Sequence, residues 1–134
     1  MAMMEGRTGT AKEAISGKGR SDVYGKRIYR PANRNGGVDE MIKIVAKYRL
    51  KPGVREEYLE LAKELVEETR KETGCLHYAL YEDIKEPLVL AMLEEWKDEE
   101  AIDAHMESEH MKRIIPALRA LRESTEMNLY REVL

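Results

Sequence analysis

The run Leu88-Val89-Leu90-Ala91-Met92-Leu93 constrains this chain more than any other segment. A membrane-spanning helix needs about 20 apolar residues, so the run is too short to cross a bilayer. It also has no polar stripe. It therefore predicts a strand that is covered on both faces.

The segments around it are one-sided. Ile42, Ile44, Ala46, Tyr48 and Leu50 alternate with Lys43, Val45, Lys47 and Arg49 from Met41 to Leu50, the period of a half-buried strand. Lys51-Pro52-Gly53 ends that strand. Tyr58, Leu61, Ala62, Leu65 and Thr69 then recur at helical spacing between Val54 and Lys71, and Gly74 closes the helix. Leu76 to Tyr81 reads as a second strand, Glu82 to Pro87 as a turn, and Leu88 to Trp96 as the third strand. Asp98 is placed to cap a following helix whose first turn carries Glu99 and Glu100 at its positive end. Ser108 is expected to interrupt that helix and cap a further segment bearing Met111, Ile114, Ile115, Leu118 and Leu121, with Pro116 bending or shifting it. Thr125 to Val133 supplies a fourth strand.

The order β-α-β-β-α-β is the split βαβ arrangement of a ferredoxin-like α+β fold. Such a sheet carries its helices on one face. Strand three is apolar on both, and strand two sets Leu76, Tyr78 and Leu80 opposite Cys75, Ala79 and Tyr81. A second copy of the sheet is the simplest cover, which gives a homodimer or a higher homo-oligomer. The alternative is a monomer with a ligand-sized groove, or with the preceding arm folded across the sheet.

That arm is residues 1–40, and the domain is 41–134. The arm holds seven of the nine glycines and no sustained periodicity. Val23-Tyr24 and Ile28-Tyr29 are expected to hold it to the body or to a partner subunit. It carries eight basic and five acidic residues, which leaves fifteen basic and twenty-one acidic in the body. An acidic body argues against nucleic acid or an anionic membrane as partner. The single cysteine, Cys75, excludes an intramolecular disulfide and reads as a small buried hydrophobe. With no secretory leader in the first 20 residues, the expected location is cytoplasmic.

The only tryptophan, Trp96, and two of the three histidines, His105 and His110, lie where strand three runs into the next helix. On a continuous helix the two imidazoles would point about 140° apart, so they share a pocket only if the helix breaks near Ser108. Histidine ligands on one helical face favour a separation of four rather than five, so no metal site is expected there. Tyr78 and Tyr48 offer phenols from two strands. Glu94 has the parity of Trp96 and must be paired or near water, lining a pocket or making an ionic contact across a dimer. His77 is out of phase with Tyr78 and is expected on the other face.

Several of these segments together resemble the antibiotic biosynthesis monooxygenase domain, especially its small quinol-monooxygenase-like members. They are Ile42 to Gly53, Thr69 to Tyr78, Pro87, Glu94-Glu95-Trp96-Lys97-Asp98, Ala101, Ala104-His105 and His110. The resemblance implies a dimeric α+β barrel and a small aromatic or quinone-like ligand. It also implies chemistry with dioxygen that needs no metal, flavin or haem. A bound hydroquinone would lose a proton, and its anion would pass an electron to dioxygen before recombination at a ring carbon. The protein would supply a base, donors to the phenolate and a dry apolar pocket. His105 and His110 are then the candidate catalytic residues, and Trp96, Tyr78, Tyr48 and Glu94 the candidate substrate contacts. Haem-degrading members place an asparagine on the first strand, and Ile42 to Leu50 has none. A sugar-phosphate isomerase would gather Lys47, Arg49 or other cations around a phosphate. A non-catalytic ligand-binding or structural dimer is the remaining alternative.

Overall fold

The computed structural model describes residues 41–134; the arm, with its Val23-Tyr24 and Ile28-Tyr29 pairs, lies outside the described residues. In chain order the elements are β1 (Ile42–Leu50), α1 (Arg55–Arg70), β2 (Cys75–Glu82), β3 (Val89–Trp96), α2 (Glu99–Met106), α3 (Glu109–Ala120) and β4 (Arg122–Arg131). The four strands form one sheet in the order β2-β3-β1-β4, with every neighbour antiparallel. This is the ferredoxin-like fold, with the second helix divided into α2 and α3. Among the described residues, no helix is long and apolar enough to cross a membrane.

The alternation in β1 sorts the sheet into two faces. Ile42, Ile44, Ala46, Tyr48 and Leu50 are all buried beneath the helices, and Lys43, Lys47 and Arg49 are exposed on the other side. Register carries the same face into β3, where Trp96 pairs with Ile42, Glu94 with Ile44, Met92 with Ala46 and Leu90 with Tyr48. From α1 the stripe Tyr58, Ala62, Leu65 and Thr69 is buried against them, and from α3 Ile114 and Leu118. A fully buried side chain of this size contributes roughly 1.5–3 kcal/mol.

Two local expectations shift. Leu76 does not share a face with Tyr78, because the β2–β3 register slips between Cys75 and His77, and Leu76 is left 54% exposed. Such a bulge inserts one unpaired residue and breaks the alternation. The fourth strand begins at Arg122 rather than Thr125, since backbone pairing with β1 extends beyond its weak apolar pattern. Pro116 stays inside α3 without ending it. The buried Ile114 and Leu118 anchor the turns on either side of it.

Two glycines fix the turns that bracket α1. Gly53 adopts φ +83°, a left-handed conformation that side chains disfavour. Gly74 is required for space: a Cβ there would come within 2.3 Å of the Ala101 Cβ. Its carbonyl also accepts the Lys97 backbone N–H at 3.0 Å. Gly74 thus sets how closely the end of α1 approaches α2. Gly74→Ala is expected to cost about 1–3 kcal/mol by overpacking, measured by urea unfolding. Adding Ala101→Gly should recover part of that loss as a coupling between the two sites. Additive losses would show that the close approach is unimportant.

Candidate functional site

The helix break at Ser108 builds the site. Asp98 caps α2 by accepting the Ala101 backbone N–H at 2.8 Å, which starts the helix directly after Trp96. Eight residues later the helix ends, and the Ser108 hydroxyl donates to the His105 carbonyl at 2.6 Å. The same hydroxyl accepts the Met111 backbone N–H at 3.4 Å and so caps α3. This elbow turns His105 and His110 toward the same point, the condition that a continuous helix would not meet.

That point is Glu72. Its Oε2 lies 2.9 Å from His105 Nδ1 and 2.7 Å from His110 Nε2. Glu72 is half-buried, just beyond the end of α1 and two residues before Gly74. Sequence reasoning passed over it, although a signal was present. An acidic group at the negative end of a helix is locally unfavourable, and such exceptions mark residues held for another purpose.

Behind His105 lies an aromatic wall. The Trp96 ring is centred 4.6 Å from the imidazole and the Tyr78 ring 5.5 Å from it, with Tyr78 and Trp96 edge to face at 6.2 Å. Trp96 donates its indole N–H to Glu94 Oε1 at 2.8 Å. Glu94 is therefore satisfied inside the helix-covered face, which corrects the alternative of an ionic contact across a dimer. Its place opposite Ile44 in the register points it away from the open face.

Trp96, Tyr78, Glu94, His105 and His110 thus come together, with Glu72 as an unforeseen sixth member. Tyr48 lies farther along the same face. Its ring packs 6.3 Å from Tyr58, and the Arg122 guanidinium sits 3.7 Å above it. Arg122 also donates from Nε to the Tyr58 hydroxyl at 3.0 Å. His77 is exposed on the opposite face beside Tyr81, as its parity predicts.

The electrostatics follow from burial. Burial pushes the His105 imidazole below its ordinary value, against the pull of Glu72, so the ring is neutral near pH 7. Burial raises Glu72, but the His105 and His110 hydrogen bonds outweigh it and hold the carboxyl below its usual range. A neutral ring facing a carboxylate carries its proton on Nδ1. Nε2 is then the basic nitrogen. Glu94 is pushed up to about 7, first by burial and further by the charge of Glu72, with the Trp96 N–H pulling the other way. Tyr78 is driven well above its ordinary value by burial, then by Glu94 and Tyr48. Cys75 is raised to about 11 by burial and by Glu72 and Glu94, so its thiol stays protonated.

A pocket of about 450 Å3 opens beside the cluster, bordered by Glu72, Gly74, Ala101, Ala104 and Ser108 among others. A larger groove of about 520 Å3 runs between α1 and β2, lined partly by Arg55, Lys63 and Arg70. Two of those cations already have protein partners. Arg55 bonds Glu82 and the Pro87 carbonyl, and Arg70 donates to the Tyr78 carbonyl at 2.9 Å. Lys47 and Arg49 project from the open face, where Arg49 pairs with Glu86 at 2.8 Å. The cation cluster expected of a sugar-phosphate isomerase is not assembled from Lys47 and Arg49.

Comparison with known proteins gives a consistent result. Residues 41–117 match the family described as antibiotic biosynthesis monooxygenase. The chain is 42% identical over 72 residues to a Bacillus subtilis (strain 168) protein named "Putative monooxygenase YcnE", spanning 54% of this chain and 76% of that one. Among solved structures, a conserved protein from Methanosarcina mazei Go1 shares 43% identity with a TM-score of 0.69, covering 72% of this chain and 96% of the other. A structure described as an antibiotic biosynthesis monooxygenase shares 36% identity with a TM-score of 0.67, covering 69% and 99% respectively.

Proposed function

The chain belongs to the antibiotic biosynthesis monooxygenase family, and on that premise we propose that it hydroxylates a small hydroquinone or polyphenol with dioxygen. The observation that carries this reading is the buried His105 imidazole, tied through Nδ1 to Glu72 and walled by Trp96 and Tyr78. Glu72 orients the ring and fixes its tautomer, leaving Nε2 to take a phenolic proton. The resulting anion passes one electron to dioxygen, and the radical pair joins at a ring carbon as a hydroperoxide. Cleavage of the O–O bond with loss of that carbon's proton leaves one oxygen on the ring and releases the other in water. For a hydroquinone the balance is quinol plus dioxygen to hydroxyquinone plus water, with the substrate as the only reductant. Glu94, pushed up to about 7 by burial, accepts the indole N–H of Trp96 and so steadies that wall. His110 shares the Glu72 carboxylate and steadies it.

Trp96, Tyr78, Glu94 and His105 are all less than 10% exposed. In this reading the pocket bordered by Glu72, Ala104 and Ser108 is the route by which a substrate approaches the cluster. Oxygen uptake over a panel of quinols, with product analysis to separate turnover from autoxidation, tests the assignment. Enzyme-dependent uptake with a hydroxylated product is the expected result. No uptake with any quinol, and no planar ligand bound by calorimetry, would favour a non-catalytic dimer.

The dimer is part of the same reading. On the open face, Val45, Leu93, Ala79 and Ala91 form a half-buried apolar centre, bordered by the Lys43–Glu95 ion pair at 3.2 Å. An apolar centre with a charged rim has the composition of a protein interface. A second sheet covers it by two-fold symmetry. Leu93→Glu is expected to shift sedimentation from dimer toward monomer, since it buries an unpaired charge at that centre. A 15.5 kDa species for the unsubstituted chain at all concentrations would exclude the dimer.

A further inference from the structure

We propose that Glu72, His105 and His110 form a binding site for a single divalent transition-metal ion. The expectation of no metal rested on His105 and His110 sharing one helix, where a spacing of five separates them. The elbow at Ser108 removes that premise, and the loop after α1 supplies a third ligand 33 residues earlier. The result is two imidazole nitrogens and one carboxylate oxygen, all within 4.8 Å of one another.

The two oxygen-to-nitrogen separations, 2.9 and 2.7 Å, are already close to the ~3 Å spacing of adjacent ligands around a metal with bonds of about 2.1 Å. Only the two nitrogens must draw nearer, and a side-chain rotation of His110 in the first turn of α3 can do this. Two imidazoles and a carboxylate suit zinc, cobalt, nickel or ferrous iron rather than magnesium or calcium, which prefer all-oxygen shells. Three protein ligands leave positions for water or substrate, and the pocket bordered by Glu72 and Ser108 gives access to them. Cys75 is not part of this cluster of ligand atoms.

The site stands independently of the hydroxylation reading and bears on it. A metal on Nδ1 displaces the proton that Glu72 accepts, which converts the dyad into a ligand set and leaves Nε2 carrying the ring's hydrogen. In that state His105 is no longer a base toward substrate. A bound ion would inhibit metal-free turnover.

The test uses the full chain, stripped with chelator and titrated with Co2+ and separately with Zn2+. Calorimetry should give one ion per chain, and Co2+ should develop visible ligand-field bands. His110→Ala and Glu72→Gln should each weaken binding by at least about a hundredfold, since even partners outside the ligand shell are worth 10–100-fold. His77→Ala, which removes the only other histidine of the chain, should change nothing. No saturable uptake of either ion, or uptake unaffected by His110→Ala, or uptake lost in His77→Ala, would overturn the proposal. None of these readouts depends on oxygenase activity, so failure of the metal site and failure of the proposed reaction are separately visible.

Discussion

Replacing His105 with asparagine is expected to lower kcat toward an accepted hydroquinone by about 10² to 10⁴, the usual contribution of a positioned base. Asparagine can still donate to Glu72 Oε2 from the position of Nδ1 and leaves no basic nitrogen where Nε2 was. The substitution therefore separates proton transfer from packing. The expected pattern is a fall in kcat with KM and the unfolding midpoint little changed. Full activity in the variant would remove His105 from the chemistry. A parallel loss of stability and activity would assign it to holding α2 against the sheet, since the ring lies only 4.6 Å from Trp96. Equal loss in His110→Ala would point to the shared Glu72 carboxylate as the element that matters.

Glu94→Gln is expected to stabilise the protein at pH 8 by about 3 kcal/mol and to leave it nearly unchanged at pH 4. The folded protein holds the Glu94 proton up to about pH 7, against an ordinary glutamate value of 4.5 in the unfolded chain. Between those values the native state binds more protons than the unfolded one, so this group's contribution to stability falls as pH rises. It is fully present below about 4.5 and lost by about 7. A gap of about 2.5 pH units corresponds to about 3 kcal/mol. Glutamine retains a carbonyl to accept the Trp96 N–H and never has to ionise in the interior. Urea unfolding of both proteins at the two pH values measures the effect, and an equal difference at both would show that Glu94 does not titrate there. If activity is lost as well, the raised carboxyl serves the reaction at the expense of the fold. Buried groups with displaced pKa values characteristically gather where chemistry occurs.

Much of this was legible in the chain. The alternation from Ile42 to Leu50, the stripe from Tyr58 to Thr69 and the caps at Asp98 and Ser108 are local patterns. Each acts through neighbours two to four residues away, so the elements they specify survive without knowledge of the rest. Ser108 is the most consequential of them, because predicting a break there was what allowed His105 and His110 to be considered together. The parity of β3 likewise placed Glu94 with Trp96. Parity alone left open whether that carboxylate faced a partner chain or the helices.

The sequence by itself determined the order of elements, which face of β1 is apolar, and where the helices stop, since these follow from periodicity and turn chemistry over a few residues. Only the tertiary structure decided that Glu72 joins both histidines, that Leu76 falls out of register, and that Glu94 is buried against Trp96. These depend on contacts across long stretches of chain and on a single close approach at Gly74 and Ala101. Their energies come from desolvation and from pairing between distant groups, and neither quantity is defined until the chain has closed around them.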